Sequence, residues 1–376
     1  MLLALFPLWL QFSCTESVSP QEDTERSLVV PPPDLKVAFI GDSGYGPRTD
    51  RVLELIRQEG AHLVLHQGDL GYDEGNLKAP VNWHSGIERI LDAGVEGGRF
   101  PYLYSVGNHD VRHWRQRDPP GYSRILQERV EGTPGLECTG DLGVKSSCTY
   151  KGLFLVLSGV GSIGQGHRRY LSDALEEGED FLWRIASWHK NQQDMQAGGK
   201  RDDTGWGVYQ DCQEAGAIIA TGHEHSYSRS YTLTDLGNEA AGHGATGSPE
   251  RVMLGQGKTF VLVSGLGGKS GRDYHCEQHE DDTWWASVFT RNYWIKNGDV
   301  KEKNCSVMDP ESKQYARTVQ EYADGALFIT FNPGGQTHLA RGEFLTVEGD
   351  RIDEFEIVNE RGAEAAVSPD GGGEGG

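Results

Sequence analysis

Five short apolar runs in this chain each stop at a block of glycine and metal-ligating side chains, and no other feature of the sequence constrains the fold as much. The run at 37–40 leads into Gly41-Asp42-Ser43-Gly44, that at 62–66 into Gly68-Asp69-Leu70-Gly71-Tyr72, and that at 102–106 into Gly107-Asn108-His109-Asp110. The run at 181–186 is followed by His189, and that at 217–220 by Gly222-His223-Glu224-His225. Runs this short and rich in Val, Leu and Ile read as buried strands. Between the first two, Val52, Leu53, Leu55 and Ile56 mark an amphipathic helix over 50–58. Strand, loop, helix, strand order implies a parallel unit with its loops on one edge, where α/β sheets gather their ligands. Asp and Gly also make ordinary surface turns, so no single block decides the matter.

Further helical patterns lie at 83–91 and 206–215, and further strands at 154–157, 260–263, 326–331, 342–347 and 351–358, the last three antiparallel. Glycine-rich loops at 235–257 and 265–271 lie among them. With no internal repeat and no interior linker, residues 35–358 form one catalytic domain. It is preceded by a leader at 1–19 and a proline-rich linker at 20–34, and followed by a disordered, glycine-rich tail at 359–376.

The apolar run at 1–12 is too short to cross a bilayer and stands where a secretory signal would. The expected location is therefore secreted, periplasmic or cell-surface. A lipid anchor at Cys14 is the alternative, although Gln11 occupies the place of the Leu in a lipoprotein box. In an oxidising compartment Cys138 with Cys148, then Cys276 with Cys305, read as disulfides that leave Cys212 free; five buried thiols are the other option. A formal charge of -21 and a pI near 5.0 argue against binding nucleic acid or an anionic membrane through bulk charge. An anionic substrate must be drawn by a local positive centre.

The strand ends offer Asp42, Asp69, Tyr72 and Asn108 as oxygen donors and His189, His223 and His225 as imidazoles. Hard oxygen donors mixed with imidazoles suit iron, manganese or zinc. His223 and His225, two apart on an extended segment, share a face.

Read in order, these blocks resemble those of the purple acid phosphatase branch of the calcineurin-like metallophosphoesterases, over residues 37–230 and more weakly to Val358. One block departs from the pattern: Ala186 stands where the family has Val three residues before its His, leaving His167 and His113 as substitutes for His189. The resemblance implies an α/β fold, a four-layer α/β/β/α sandwich with mixed sheets. It places Fe(III) on Asp42, Asp69, Tyr72 and His225, and a divalent ion (Zn, Fe or Mn) on Asp69, Asn108, His189 and His223, with Asp69 as the bridge. Relatives with Asp-x-His in the first block carry a His where this chain has Gly44, and Tyr72 is the compensating donor. A phenol, with an ordinary pKa of about 10, binds as phenolate and so points to a trivalent ion.

The activity implied is hydrolysis of a small phosphomonoester by a metal-bound hydroxide, with His109 protonating the leaving group. The alternatives are a phosphodiesterase or nucleotide-pyrophosphate hydrolase with the same metals, and a non-catalytic surface binding protein that keeps the fold. Asp110 reads as orienting His109 or as a helix cap, and Tyr227 and Arg229 as rim or packing residues. Arg112, Arg115, Arg117, Arg168, Arg169 and Lys190 are candidate phosphate contacts, most of them solvated.

Overall fold

Apolar runs without polar alternation are strands covered on both faces, and here the second cover is another sheet. The computed structural model describes residues 27–305 and 319–367. Among these, β1 (Leu35–Ile40), β2 (Leu63–His66) and β3 (Tyr102–Tyr104) pair in parallel. β4 (Leu136–Asp141) and β5 (Lys145–Tyr150) form a hairpin that β6 (Leu153–Ser158) extends. β7 (Trp183–Ser187) and β8 (Ile218–Thr221) continue it in parallel. Next come β9 (Tyr227–Ser230), β10 (Arg251–Leu254), β11 (Val261–Ser264), β12 (Trp285–Phe289), β13 (Tyr293–Lys296) and β14 (Asp299–Lys303). β15 (Gly325–Phe331), β16 (Leu339–Thr346) and β17 (Arg351–Asn359) are antiparallel, as expected.

Two mixed sheets result among the described residues, one ordered β10-β17-β16-β15-β1-β2-β3 and the other β14-β13-β12-β9-β11-β8-β7-β6-β5-β4. The helices α1 (Pro47–Gln58), α2 (Ala79–Ile90) and α3 (Tyr122–Glu131) cover the first, and α4 (His167–Glu177) and α5 (Gly207–Ala215) the second. This is the four-layer α/β/β/α sandwich. The period of two along a strand divides each run between layers. Leu155, Ile185, Ile218 and Leu262 join Phe39 and Leu65 in the core between the sheets. Their neighbours Val156, Ala186, Ile219 and Val261 pack with Leu171, Leu175 and Val208 under the helices. Each such Leu or Ile, buried on folding, contributes about 1.5–3 kcal/mol.

Three expectations need correction. The hairpin β4–β5, the strands β9, β10 and β12–β14, and the helices α3 and α4 were not legible as such; β10 lies inside the glycine-rich stretch at 235–257. The helix that spans Glu360–Val367 occupies the start of the expected disordered tail, because its Ala and Glu residues are strong helix formers that add few apolar signals. The end of the expected linker is docked: Val29 N donates to Asp180 O at 2.8 Å, Val29 O accepts from Leu182 N at 3.0 Å, and Pro31 O accepts from Asn332 Nδ2 at 2.8 Å. The leader with Cys14, and the tail beyond Val367, lie outside the described residues.

Cys138 is bonded to Cys148, which faces it across the hairpin, and Cys276 to Cys305, while Cys212 is a buried thiol. Replacing Cys138 and Cys148 together by serine is expected to cost about 3 kcal/mol, by freeing the short loop of the unfolded chain. Urea midpoints of the two forms check this; coincident midpoints would mean that the hairpin alone sets the local stability. Among the described residues, no helix is long and apolar enough to cross a membrane.

Candidate metal centre

The five blocks arrive at one end of the sandwich from both sheets. Asp42, Asp69, Tyr72 and Asn108 follow β1, β2 and β3 of the first sheet, whereas His189, His223 and His225 follow β7 and β8 of the second. Four of these residues sit in the left-handed backbone region: Asp42 at φ 56, Asp69 at 57, Tyr72 at 53 and His223 at 68. Such conformations cost on the order of 1 kcal/mol or more each for residues with a Cβ and persist where neighbours over-determine them. Here Asp42 N donates to Gly68 O at 3.0 Å, Ser43 N to Asp69 O at 3.1 Å and His223 N to Asp42 Oδ2 at 2.8 Å. The second and third blocks touch so closely that a Cβ on Gly107 would lie 2.1 Å from Asp69 N.

The donor atoms gather in two neighbouring groups. In one, Tyr72 Oη donates to Asp42 Oδ1 at 2.7 Å and lies 2.9 Å from His225 Nε2, which is 3.3 Å from Asp42 Oδ1. In the other, His189 Nε2 lies 3.2 Å from Asp69 Oδ2, 3.2 Å from Asn108 Oδ1 and 3.1 Å from His223 Nδ1. Asp69, His189 and His223 each offer a ligand atom within 4.8 Å of the others. Donors about 2.1 Å from a shared ion and at right angles around it stand about 3 Å apart, so these residues fit metal ions. His189 Nδ1 faces Gln67 O at 2.8 Å and His225 Nδ1 faces Ser270 O at 2.6 Å. Those carbonyls hold the proton on Nδ1 and leave Nε2 as the donor.

Asp42 and Asp69 are buried. Burial and the charges of these two carboxylates push the Tyr72 phenol well above its usual pKa. With protein groups alone it remains a hydrogen-bond donor, and a metal cation held here would balance the charge of the two buried carboxylates.

Ala186, the departure from the family pattern, faces the helices and not the site, so the smaller side chain leaves His189 in place. The substitutes are engaged elsewhere. His113 binds Gln116 Oε1 at 2.8 Å and Glu74 O at 2.9 Å, and His167 binds Ser158 Oγ at 3.1 Å and Ile163 O at 2.8 Å. Of the candidate phosphate contacts, Arg115 pairs with Asp141, Arg168 with Asp211 and Lys190 with Asp203. Glu224 points away from the site to Lys200 Nζ, 3.8 Å off.

His109 is partly exposed beside the site, its ring centroid 4.6 Å from that of Tyr72 and its Nε2 3.9 Å from Asp69 Oδ2. Its Nδ1 is bound by the carboxylate of Glu74, a residue the sequence reading passed over although it stands just after Tyr72. Asp110 does neither task foreseen for it. Buried, it accepts from Asp69 N at 2.9 Å, Leu70 N at 2.8 Å and Gly107 N at 2.8 Å, and so ties the second block to the third.

The family model for calcineurin-like phosphoesterases matches residues 35–227, the stretch that carries all five blocks. This chain belongs to that family. That family is one of metal-dependent phosphoric ester hydrolases, and its fold implies divalent metal ions. Purple acid phosphatase PPD1 from yellow lupin (Lupinus luteus) seeds superposes with a TM-score of 0.59 at 16% identity, covering 92% of this chain. The phosphoesterase spans 59% of the length of that lupin chain. GAP50, the anchor in the inner membrane complex of Plasmodium, gives a TM-score of 0.48 at 12% identity over 92% of this chain and 100% of its own. PhoD gives 0.48 at 11% over 86% and 69%. At such identities likeness is one of fold alone. No curated protein matches in sequence.

Proposed function

We propose that this phosphoesterase is a phosphomonoesterase of the purple acid phosphatase kind with a dinuclear centre. Fe(III) is held by Asp42, Asp69, Tyr72 and His225, and a divalent ion (Zn, Fe or Mn) by Asp69, Asn108, His189 and His223. Tyr72 carries the reading. Its hydroxyl lies within 2.7 Å of Asp42 Oδ1 and 2.9 Å of His225 Nε2, in a first block whose Gly44 brings no competing imidazole. A phenolate oxygen is a hard anionic donor that favours a trivalent ion.

When bound, the ions supply Lewis acidity toward the phosphoryl oxygens and a nucleophile at neutral pH. Their charge, less that of Asp42, Asp69 and Tyr72, leaves about two positive charges to attract a phosphate dianion, despite the chain's formal -21. His109 delivers a proton from Nε2 to the departing alkoxide, and Glu74 on Nδ1 fixes the ring for that task. We further infer that the enzyme works outside the cytoplasm, secreted, periplasmic or cell-surface; its two disulfides support this, since such bonds persist in oxidising compartments.

Metal analysis, a visible spectrum and a comparison of nitrophenyl phosphate with the bis-nitrophenyl diester test the proposal. The wild type is expected to hold iron and a second metal, to be coloured and to prefer the monoester, and Tyr72→Phe to lose the visible band. A colourless zinc protein, or a band that survives in Tyr72→Phe, would sink the ferric assignment; preference for the diester would sink the monoesterase.

A further inference from the structure

The glycine-rich stretch at 265–271 follows β11 and belongs to none of the five blocks, yet it backs the centre. Gly267 N donates to Gly41 O at 3.0 Å, and a Cβ at Gly267 would lie 2.4 Å from that oxygen, so only glycine lets the two loops meet. Lys269 N donates to Asp42 O at 3.0 Å, Ser270 O receives His225 Nδ1 at 2.6 Å, and Arg272 N donates to His225 O at 2.9 Å. Backbone held at three successive points gives Lys269 a fixed origin. Its Nζ stands 4.5 Å from the centroid of the Tyr72 ring, inside the range of about 6 Å over which an ammonium is attracted to a ring face. Among the described residues, no carboxylate forms an ion pair with Lys269, so its charge is directed at the ring.

We propose that Lys269 is a positioning residue that acts through Tyr72, its ammonium setting the electronic character of the phenolate and thereby of the ferric ion that the phenolate holds. This rests on the ferric assignment proposed above. A cation on the ring face stabilises the electron-rich donor and so raises the energy of phenolate-to-iron charge transfer. The same charge also eases one-electron reduction of the ferric ion by an added reductant, because it disfavours the more positive member of the couple.

Lys269→Met and Lys269→Gln remove the charge, one keeping the length of the side chain and the other its polarity, while Lys269→Arg retains it. Each variant is purified with its metals, its visible spectrum recorded, and its iron titrated with a reductant against a redox indicator. The Met and Gln variants are expected to show the band at longer wavelength and a lower reduction potential, and the Arg variant to match the wild type. A band unmoved in both neutral variants at wild-type iron content overturns the proposal, as does an equal shift in all three, which would reflect packing and not charge. A colourless wild type overturns the ferric assignment and this proposal together. A coloured wild type indifferent to the loss of the Lys269 charge overturns this one alone.

Discussion

Asp69→Asn is expected to lower kcat/KM for a phosphomonoester by about 1000-fold or more, equivalent to about 4 kcal/mol of transition-state stabilisation, with the fold intact. Asparagine suits the position. It tolerates the left-handed backbone that Asp69 adopts at φ 57, and its Oδ1 can go on accepting from His109 N, 2.9 Å away. What it lacks is the negative charge that faces His189 at 3.2 Å and that the proposed assignment shares between both ions. Metal content should fall with activity, from two ions per chain toward one or none. Elemental analysis beside steady-state kinetics reads both quantities. A variant that keeps two metals and activity within about ten-fold would remove the shared-carboxylate role.

The second large effect is expected far from the chemistry. Arg229 on β9 and Asp353 on β17 are fully buried and join the two sheets, with Arg229 Nε 2.7 Å from Asp353 Oδ2 and Nη2 3.0 Å from Oδ1. Tyr227 Oη donates to the same carboxylate at 2.7 Å, and the guanidinium lies 4.1 Å from the centroid of Phe355. Removing one partner of such a pair leaves a buried charge without compensation, so Asp353→Ala should cost about 3–5 kcal/mol. Arg229→Met combined with Asp353→Leu should recover most of that loss, because the desolvation penalty disappears along with the attraction. Urea titrations of the wild type, Arg229→Met, Asp353→Leu and the double variant give the coupling energy directly, with Asp353→Ala measured beside them. A loss below about 1 kcal/mol for Asp353→Ala would mean that the rest of the intersheet core holds the layers without this pair.

The parts of the fold legible in the sequence were those with little compositional freedom. β2 and β8 are buried at every residue, so their apolar runs are continuous and their ends are sharp. The candidate ligands stood out because chemistry-bearing side chains follow those ends at once. β4, by contrast, reads Leu-Glu-Cys-Thr-Gly-Asp and is largely exposed, and α4 hides Leu171, Ala174 and Leu175 among charged residues. Neither carries the signal of a doubly covered strand. Arg229 and Asp353 are 124 residues apart, and nothing local marks them as partners. Lys269 shows how far the chemistry outruns the motifs: its loop was visible as glycines, but what those glycines press against is a fact of tertiary structure.

The division of the centre between layers carries a mechanical consequence. Neither sheet owns a complete set of donors, since the oxygens come from one and the imidazoles from the other. Sliding one layer past its neighbour by a single residue rise, about 3.3 Å, would leave every ladder bond whole and still carry all three histidines out of register with the carboxylates. The centre behaves like a lock with two keys, and metal binding there would report the seating of the halves more sensitively than any measure of secondary structure.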